Sequence, residues 1–247
     1  MPRILVTNDD GVRSKGIQAL ADALAPLGEI VVVAPGREAS AVGHALTLHH
    51  PLRLEHLKDS TYALDGTPTD CVNIAVAAVL RGLPDLVVSG INKGLNIGDD
   101  VTYSGTVSGA LEGSLLGVPS IAVSLQQGTG EWDFADAGRI AAEVAARVLQ
   151  KGLPARTFLN VNVPRGASRG IRLTVQGKRT HATTVSERRD PRGRTYFWIG
   201  EGEDQWLSDG ESDYEAIRAG YVSLTPLQAD MTAVEAGAFV KALGLER

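Results

Sequence analysis

Short, continuous apolar runs alternate with longer stretches of helical periodicity across residues 3–163. "ILVTN", "IVVVAP", "DLVVSG", "PSIAVSL" and "FLNVNVP" are apolar over most of their length, the pattern of strands buried on both faces. Between them lie "KGIQALADALAPLG", with Ile17, Leu20, Leu24 and Leu27 on one helical face, and "TPTDCVNIAVAAVLRGL", with Pro68 in its first turn. "GTVSGALEGSLLG" and "FADAGRIAAEVAARVLQKG" supply two more helices. This alternation predicts a doubly wound α/β fold, a mostly parallel sheet covered on both faces. In such folds ligands sit beyond the carboxyl ends of the strands.

After Pro164 the pattern changes. "HATTVSERRDPRGRTYFWIG" has two β-prone arms, residues 180–186 and 195–199, around a Pro-Arg-Gly turn. Tyr196, Phe197, Trp198 and Ile199 in succession are too apolar for a lone arm in water. Either the arm folds back on its own core, or it reaches a neighbouring subunit. "GYVSLTPL" and "VEAGAFVKAL" then read as a strand and a helix that rejoin the main body. The expected organisation is one domain over 1–247, with a core at about 1–165 and 220–232. A hairpin appendage spans about 178–202 and a C-terminal helix about 232–244.

Composition adds mainly exclusions. A chain of 247 residues, 43% hydrophobic and 21% charged, is an ordinary soluble globular protein. A net charge of -5 gives no field for a nucleic acid. The single cysteine, Cys71, excludes an intrachain disulfide framework and a thiolate zinc cluster, and its apolar helix face makes it a core residue. No basic and apolar leader opens the chain and no run approaches a membrane span, so a cytoplasmic protein is expected.

The candidate chemistry lies at three strand ends. The first strand ends in "NDDG", where Asp9 and Asp10 would repel each other and lose hydration if buried. The bland reading is an Asx-turn. The second strand runs into "GREASAVGHALTL", with Ser40 and His44, and the third into "INKGLNIGDDVTYSG", with Asn92, Lys93 and Asn96. If the three strands are neighbours, their oxygen donors meet at one edge and suit Mg²⁺, Mn²⁺ or Ca²⁺ better than zinc. The next helix begins with Ser104, Gly105, Thr106 and Ser108, a natural phosphate cradle or an ordinary N-cap. Gly105, Gly109, Gly113 and Gly117 share one face of it, for close packing. His49 and His50 lack metal-ligand spacing and read as surface residues. The chain contains no P-loop, no G-x-G-x-x-G after the first strand and no G-x-S-x-G elbow.

"ILVTNDDG", "APGREASAVGHALTL", "LDGTPTDCV", "VVSGINKGLNIGDDVTYSGTVSGALEG" and "GYVSLTPLQADMT" together resemble the SurE family of survival-protein nucleotidases. The resemblance runs from residue 3 to about 232 and is weakest over 126–200. It implies a Rossmann-like core and a metal-dependent phosphatase acting on nucleoside 5′- and 3′-monophosphates, with short polyphosphate as a possible further substrate. It implies one divalent ion per subunit, Mg²⁺ or Mn²⁺, held by Asp9, Asp10, Ser40 and Asn92. Asn96 and residues 104–108 match the family's phosphate region. The hairpin and C-terminal elements would join a homodimer or homotetramer, which favours the intersubunit reading of the aromatic arm.

The expected reaction is attack by water, with Asp10 orienting or deprotonating it and Lys93 or the helix start stabilising the transferring phosphoryl. A phospho-aspartate route competes, but its D-x-D signature differs from the adjacent pair here. Two other classes remain as alternatives, a non-catalytic nucleotide sensor and a chaperone-like protein working through its hairpin.

Overall fold

The computed structural model describes residues 1–180, 184–200, 205–207 and 210–244. The strands are β1 (Arg3–Thr7), β2 (Glu29–Pro35), β3 (Leu54–Lys58), β4 (Thr61–Leu64), β5 (Leu86–Lys93), β6 (Ser120–Leu125) and β7 (Thr157–Val163). They continue with β8 (Ile171–Leu173), β9 (Arg179–Thr180), β10 (Thr184–Arg189), β11 (Thr195–Gly200), β12 (Gln205–Trp206) and β13 (Val222–Gln228). The helices are α1 (Lys15–Leu24), α2 (Pro68–Ile74), α3 (Gly105–Leu115), α4 (Ala135–Lys151), α5 (Asp213–Arg218) and α6 (Gly237–Ala242).

Nine strands form one sheet in the order β3-β4-β2-β1-β5-β6-β7-β13-β8. The six from β4 to β7 are parallel, and β3 and β13 add antiparallel partners at either side. Alternation along β1 shows how the sheet is covered. Ile4 and Val6 join the core under α1 and α4, while Leu5 joins the core under α2 on the opposite face. α1 begins at the N-cap Ser14 and buries Ile17, Leu20 and Leu24. α2 begins with a capping box, Thr67 and Asp70, and Pro68 in the first turn. The chain leaves β1 towards β2 on one side and returns as β5 on the other. The crevice between β1 and β5 is therefore the switch point of this Rossmann-like α/β fold.

Several elements differ from the sequence reading. β5 does not stop at Gly90 but runs on to Lys93, so Asn92 and Lys93 stand on the strand end rather than in the loop. β3 and β4 form an edge hairpin the apolar pattern did not reveal, because β3 is exposed along almost its whole length. Gly117 is not part of the packed glycine face. It follows the α3 C-terminus at φ +84° with nothing near it, a chain-reversing position. α6 does not rejoin the body: it covers Gly237–Ala242, shorter than expected, and exposes Phe239 and Val240.

The hairpin arms are β10 and β11, paired in register from Thr184↔Gly200 to Arg189↔Thr195. Residues 181–183 of the expected first arm lie outside the described residues. Trp198 is 63% and Ile199 82% exposed, so the arm does not fold back on its own core. Among the described residues, no helix is long and apolar enough to cross a membrane.

Candidate active site

β1 ends in a tight turn. Asn8 is buried and its Nδ2 donates to the Gly11 carbonyl at 3.0 Å, while Gly11 supplies a φ of +95°. The asparagine closes the turn, so Asp9 and Asp10 are available for another role.

Asp9 is 4% exposed and sits at the N-terminus of α3, where Thr106 donates to it twice. The N–H reaches Oδ2 at 3.1 Å and Oγ1 reaches Oδ1 at 2.5 Å. Gly105 makes this approach possible: a Cβ there would stand 2.7 Å from Asp9 Cβ and 3.2 Å from the Ala39 carbonyl oxygen. A helix N-terminus favours an anion. Burial nevertheless wins and pushes the Asp9 carboxyl above its ordinary value, and the Asp10 charge adds to the rise. Asp10 is half-buried and also raised, by burial first, while the charge and backbone N–H of Lys93 pull it back. Neither carboxylate has an ion-pair partner among the described residues. Two adjacent carboxylates, held close, form the anionic centre of the crevice, with the Lys93 charge beside Asp10.

The other expected residues are placed unevenly around this centre. Asn92, at the end of β5, commits its Nδ2 to the Gly94 carbonyl at 3.1 Å; an asparagine ligates a hard cation through Oδ1, its other end. Lys93 is exposed on the same strand end. Ser40 is exposed in the loop after β2 and donates to Glu38 Oε1 at 2.8 Å. Its neighbour Ala39 donates N–H to the Asp9 carbonyl at 2.8 Å, which fixes the loop against the acidic turn.

The hydroxyls at the start of α3 are engaged inside the protein, as the N-cap reading holds. Ser104 Oγ accepts from Val107 N, Thr106 serves Asp9, and Ser108 Oγ donates to the Ser104 carbonyl at 2.6 Å. Asn96 is buried at the hub of an amide cluster. Its Nδ2 donates to Ser124 Oγ at 2.8 Å, and its backbone carbonyl accepts from Asn160 and Asn162 at 2.8 and 3.0 Å. Two asparagines in an otherwise apolar strand, "FLNVNVP", were the sequence signal for this cluster.

A second network escaped the sequence reading. Glu112, on α3 and 7% exposed, meets His44 Nε2 at 2.6 Å and accepts from Asn73 Nδ2 at 2.7 Å. Asp70 accepts from the Thr47 N–H and hydroxyl at 2.9 and 2.7 Å. Two buried carboxylates thus pin the loop that carries Ser40. The His44 hydrogen bond, ahead of the others, holds the Glu112 carboxyl below its ordinary value. The stability Glu112 contributes is therefore complete above its unfolded-state pKa and lost as pH falls through the lower folded-state value. Glu112→Gln will reduce that acid-side loss, giving a shallower fall of melting temperature with pH across the carboxylate range than the parent protein shows.

Among the described residues no three His, Cys, Asp or Glu side chains cluster as a metal cage. The crevice offers instead two carboxylates with neutral oxygen donors nearby, a hard-ligand set. Fold and crevice together define a Rossmann-like α/β protein with an acidic, oxygen-lined site at the sheet's switch point. A family model described as survival protein SurE matches residues 4–183. The 5'-nucleotidase SurE of Syntrophotalea carbinolica is 54% identical over 230 residues, which cover 93% of this chain and 92% of that protein. The protein of the same description from Pelobacter propionicus is 55% identical over 232 residues, covering 93% and 94%. The crystal structure of a SurE protein from Aquifex aeolicus matches at TM-score 0.87 and 44% identity, covering 98% of this chain and 100% of that one. The chain belongs to the SurE family.

Proposed function

We propose that this protein is a metal-dependent 5′-nucleotidase, hydrolysing nucleoside 5′-monophosphates, and 3′-monophosphates as well, to nucleoside and phosphate. The observation that carries the reading is the adjacent Asp9–Asp10 pair at the switch point, one buried and one half-buried, both raised by burial despite the nearby Lys93 charge. The description of the relatives as 5'-nucleotidases supports the substrate class. Asp9, Asp10, Ser40 and Asn92 would hold one divalent ion, Mg²⁺ or Mn²⁺, their hard oxygens fitting either. When bound, such an ion polarises the phosphoryl group and lowers the pKa of a coordinated water.

The chain's own residues divide the remaining work. Asp10 is less buried than Asp9 and lies beside Lys93, which makes it the carboxylate placed to orient and deprotonate the attacking water. Lys93, exposed beside it, brings positive charge to the phosphoryl oxygens. The N-terminus of α3 adds its dipole to the same region, and Asn96 fixes the loop between β5 and α3. Chelation followed by gel filtration will reduce phosphate release from AMP and 3′-AMP to background, and Mg²⁺ or Mn²⁺ will restore it. Turnover that survives exhaustive chelation would overturn the metal requirement.

The exposed apolar strand β11 supports a second element of the reading, a homodimer or homotetramer joined through the hairpin and C-terminal segment. Substituting Phe197 and Trp198 by aspartate is expected to give a monomer on light scattering. An unchanged oligomeric mass in that variant argues for another interface.

A further inference from the structure

The residues assigned to the acidic crevice, Asp9, Asp10, Ser40, Asn92 and Lys93, account for phosphate chemistry, and none of these side chains offers an aromatic face for a base. Two large cavities flank the crevice on the same edge of the sheet. One, of about 670 Å³, lies beyond β2 and β4 and is lined by no indole, phenyl or phenol ring. The other, of about 650 Å³, lies beyond β6 and β7 and has Trp132 in its wall. Both fall in the size range of small-molecule sites.

We infer that the cavity walled by Trp132, Gln126 and Arg165 is the nucleoside pocket of this site, with the indole stacking on the base. The inference rests on the nucleotidase reading above and extends it to residues 126–139, where the resemblance implies no site residue. Three observations converge on it.

The cavity, first, lies along the same sheet edge as the acidic centre, starting at β6, one strand from Lys93 and two from the strand that presents Asp9 and Asp10. Leu125, one of its lining residues, is the register partner of Lys93, and its carbonyl accepts the Gly94 N–H at 2.9 Å. Neighbouring strands lie about 4.8 Å apart. The pocket therefore begins one strand spacing from Lys93 and ends two spacings away, at Pro164 and Arg165 beyond β7. A nucleotide whose phosphate lies between Asp10 and Lys93 would extend its sugar and base in that direction.

Trp132 is also held in place as a stacking surface needs to be. It is partly buried and lies nearly parallel to Phe134, at 12° with ring centroids 6.1 Å apart. Phe134 is buried against the start of α1, where a Cβ on Gly16 would stand 3.3 Å from its Cε1. Two residues earlier is Ser14, the residue that approaches Asp10 at 3.5 Å. The aromatic pair is thus braced by the start of α1, whose N-cap Ser14 donates to the Asp10 carboxylate.

Finally, the wall opposite carries polar groups of the kind a base edge or ribose requires. Gln126 Oε1 accepts the Arg165 N–H at 3.0 Å, so its amide brings NH₂ donors to the pocket. The Arg165 guanidinium is anchored by Nη2 on Thr129 Oγ1 at 2.8 Å. Stacking dominates such a site, and every base has a π-face, so AMP, GMP, CMP and UMP should be handled with little discrimination.

Two measurements test this. The first is the ratio of kcat/KM for AMP to that for ribose 5-phosphate, which carries the ester and the sugar but no base. Trp132→Ala is expected to lower the ratio about tenfold, through KM for AMP, and Trp132→Phe to recover most of it. An unchanged ratio in Trp132→Ala overturns the pocket. So does a selective rise in KM for AMP caused by Arg53→Ala, which would move the base to the other cavity. The second measurement is quenching of tryptophan fluorescence by adenosine, without metal. Saturable quenching in the parent protein that disappears in Trp132→Phe supports the pocket. No quenching, or quenching retained in the variant, overturns it. If the parent protein hydrolyses no phosphate ester, the nucleotidase reading fails, while the adenosine titration still decides the pocket.

Discussion

Asp9→Asn will abolish phosphate release from AMP, by about 10³-fold, while leaving the protein folded. The substitution keeps the shape of the side chain and removes one negative charge from the centre of the crevice. Losses of this size follow the removal of a single preorganised group from an active site. The fold should tolerate the change for a local reason. Asp9 accepts from Thr106 twice, and although an amide NH₂ would oppose one of those donors, the Thr106 hydroxyl can turn and accept instead. The residual cost is that of one hydrogen bond, about 1 kcal/mol.

Electrostatics run the other way in metal-free protein. Burial raises both carboxyls, so the ionised pair opposes folding increasingly as pH rises through the raised values. Removing one charge relieves that cost, and the metal-free variant should melt no lower at neutral pH than the metal-free parent. Adding Mg²⁺ or Mn²⁺ should raise the melting temperature of the parent and leave that of Asp9→Asn unmoved. A variant that keeps more than a tenth of the parent's turnover would remove Asp9 from the chemistry.

Much of this site was legible in the sequence because its anchors are local. "NDDG" follows an unmistakable buried strand, and Asn92 and Lys93 lie at the end of another, so a parallel sheet with the two strands adjacent brings them together. The parts that were not legible depend on long-range pairing. Glu112 meets His44 across 68 positions, and neither residue sits in a pattern that announces the other. The commitment of the Thr106 hydroxyl likewise depends on where Asp9 lies in space, whereas those of Ser104 and Ser108 are local to the helix start. In the fold, β1, β2, β5, β6 and β7 were read from continuous apolar runs. β3 and β8 were not, because edge strands with exposed side chains lack that signal. α6 has an apolar composition but, among the described residues, none of its side chains is buried, so composition alone misplaced it.

Gly113→Val will destabilise the protein by about 3 kcal/mol or more, because α3 lies too close to the sheet for a branched side chain. A Cβ at this position would collide with Ser120 Oγ and stand 2.9 Å from both Cβ and Cγ2 of Val87. Neither neighbour can move away. Both are fully buried, and they are paired with each other in the β5–β6 ladder. Two effects oppose one another. Replacing a mid-helix glycine returns at most about 1 kcal/mol of helix propensity, and valine returns only part of that. Overpacking costs about 1–3 kcal/mol for added methylenes in a tight core, and valine adds three carbons where the first has no room. Packing therefore wins. For a chain of this length each kcal/mol lowers the melting temperature by about 2–4 °C, so a fall of about 10 °C is expected, with Gly113→Ala intermediate. A melting temperature within 2 °C of the parent's would mean that α3 can lift from the sheet without loss. Lifting the helix would also draw Thr106 away from Asp9. The valine variant should consequently lose turnover even at temperatures where it remains folded.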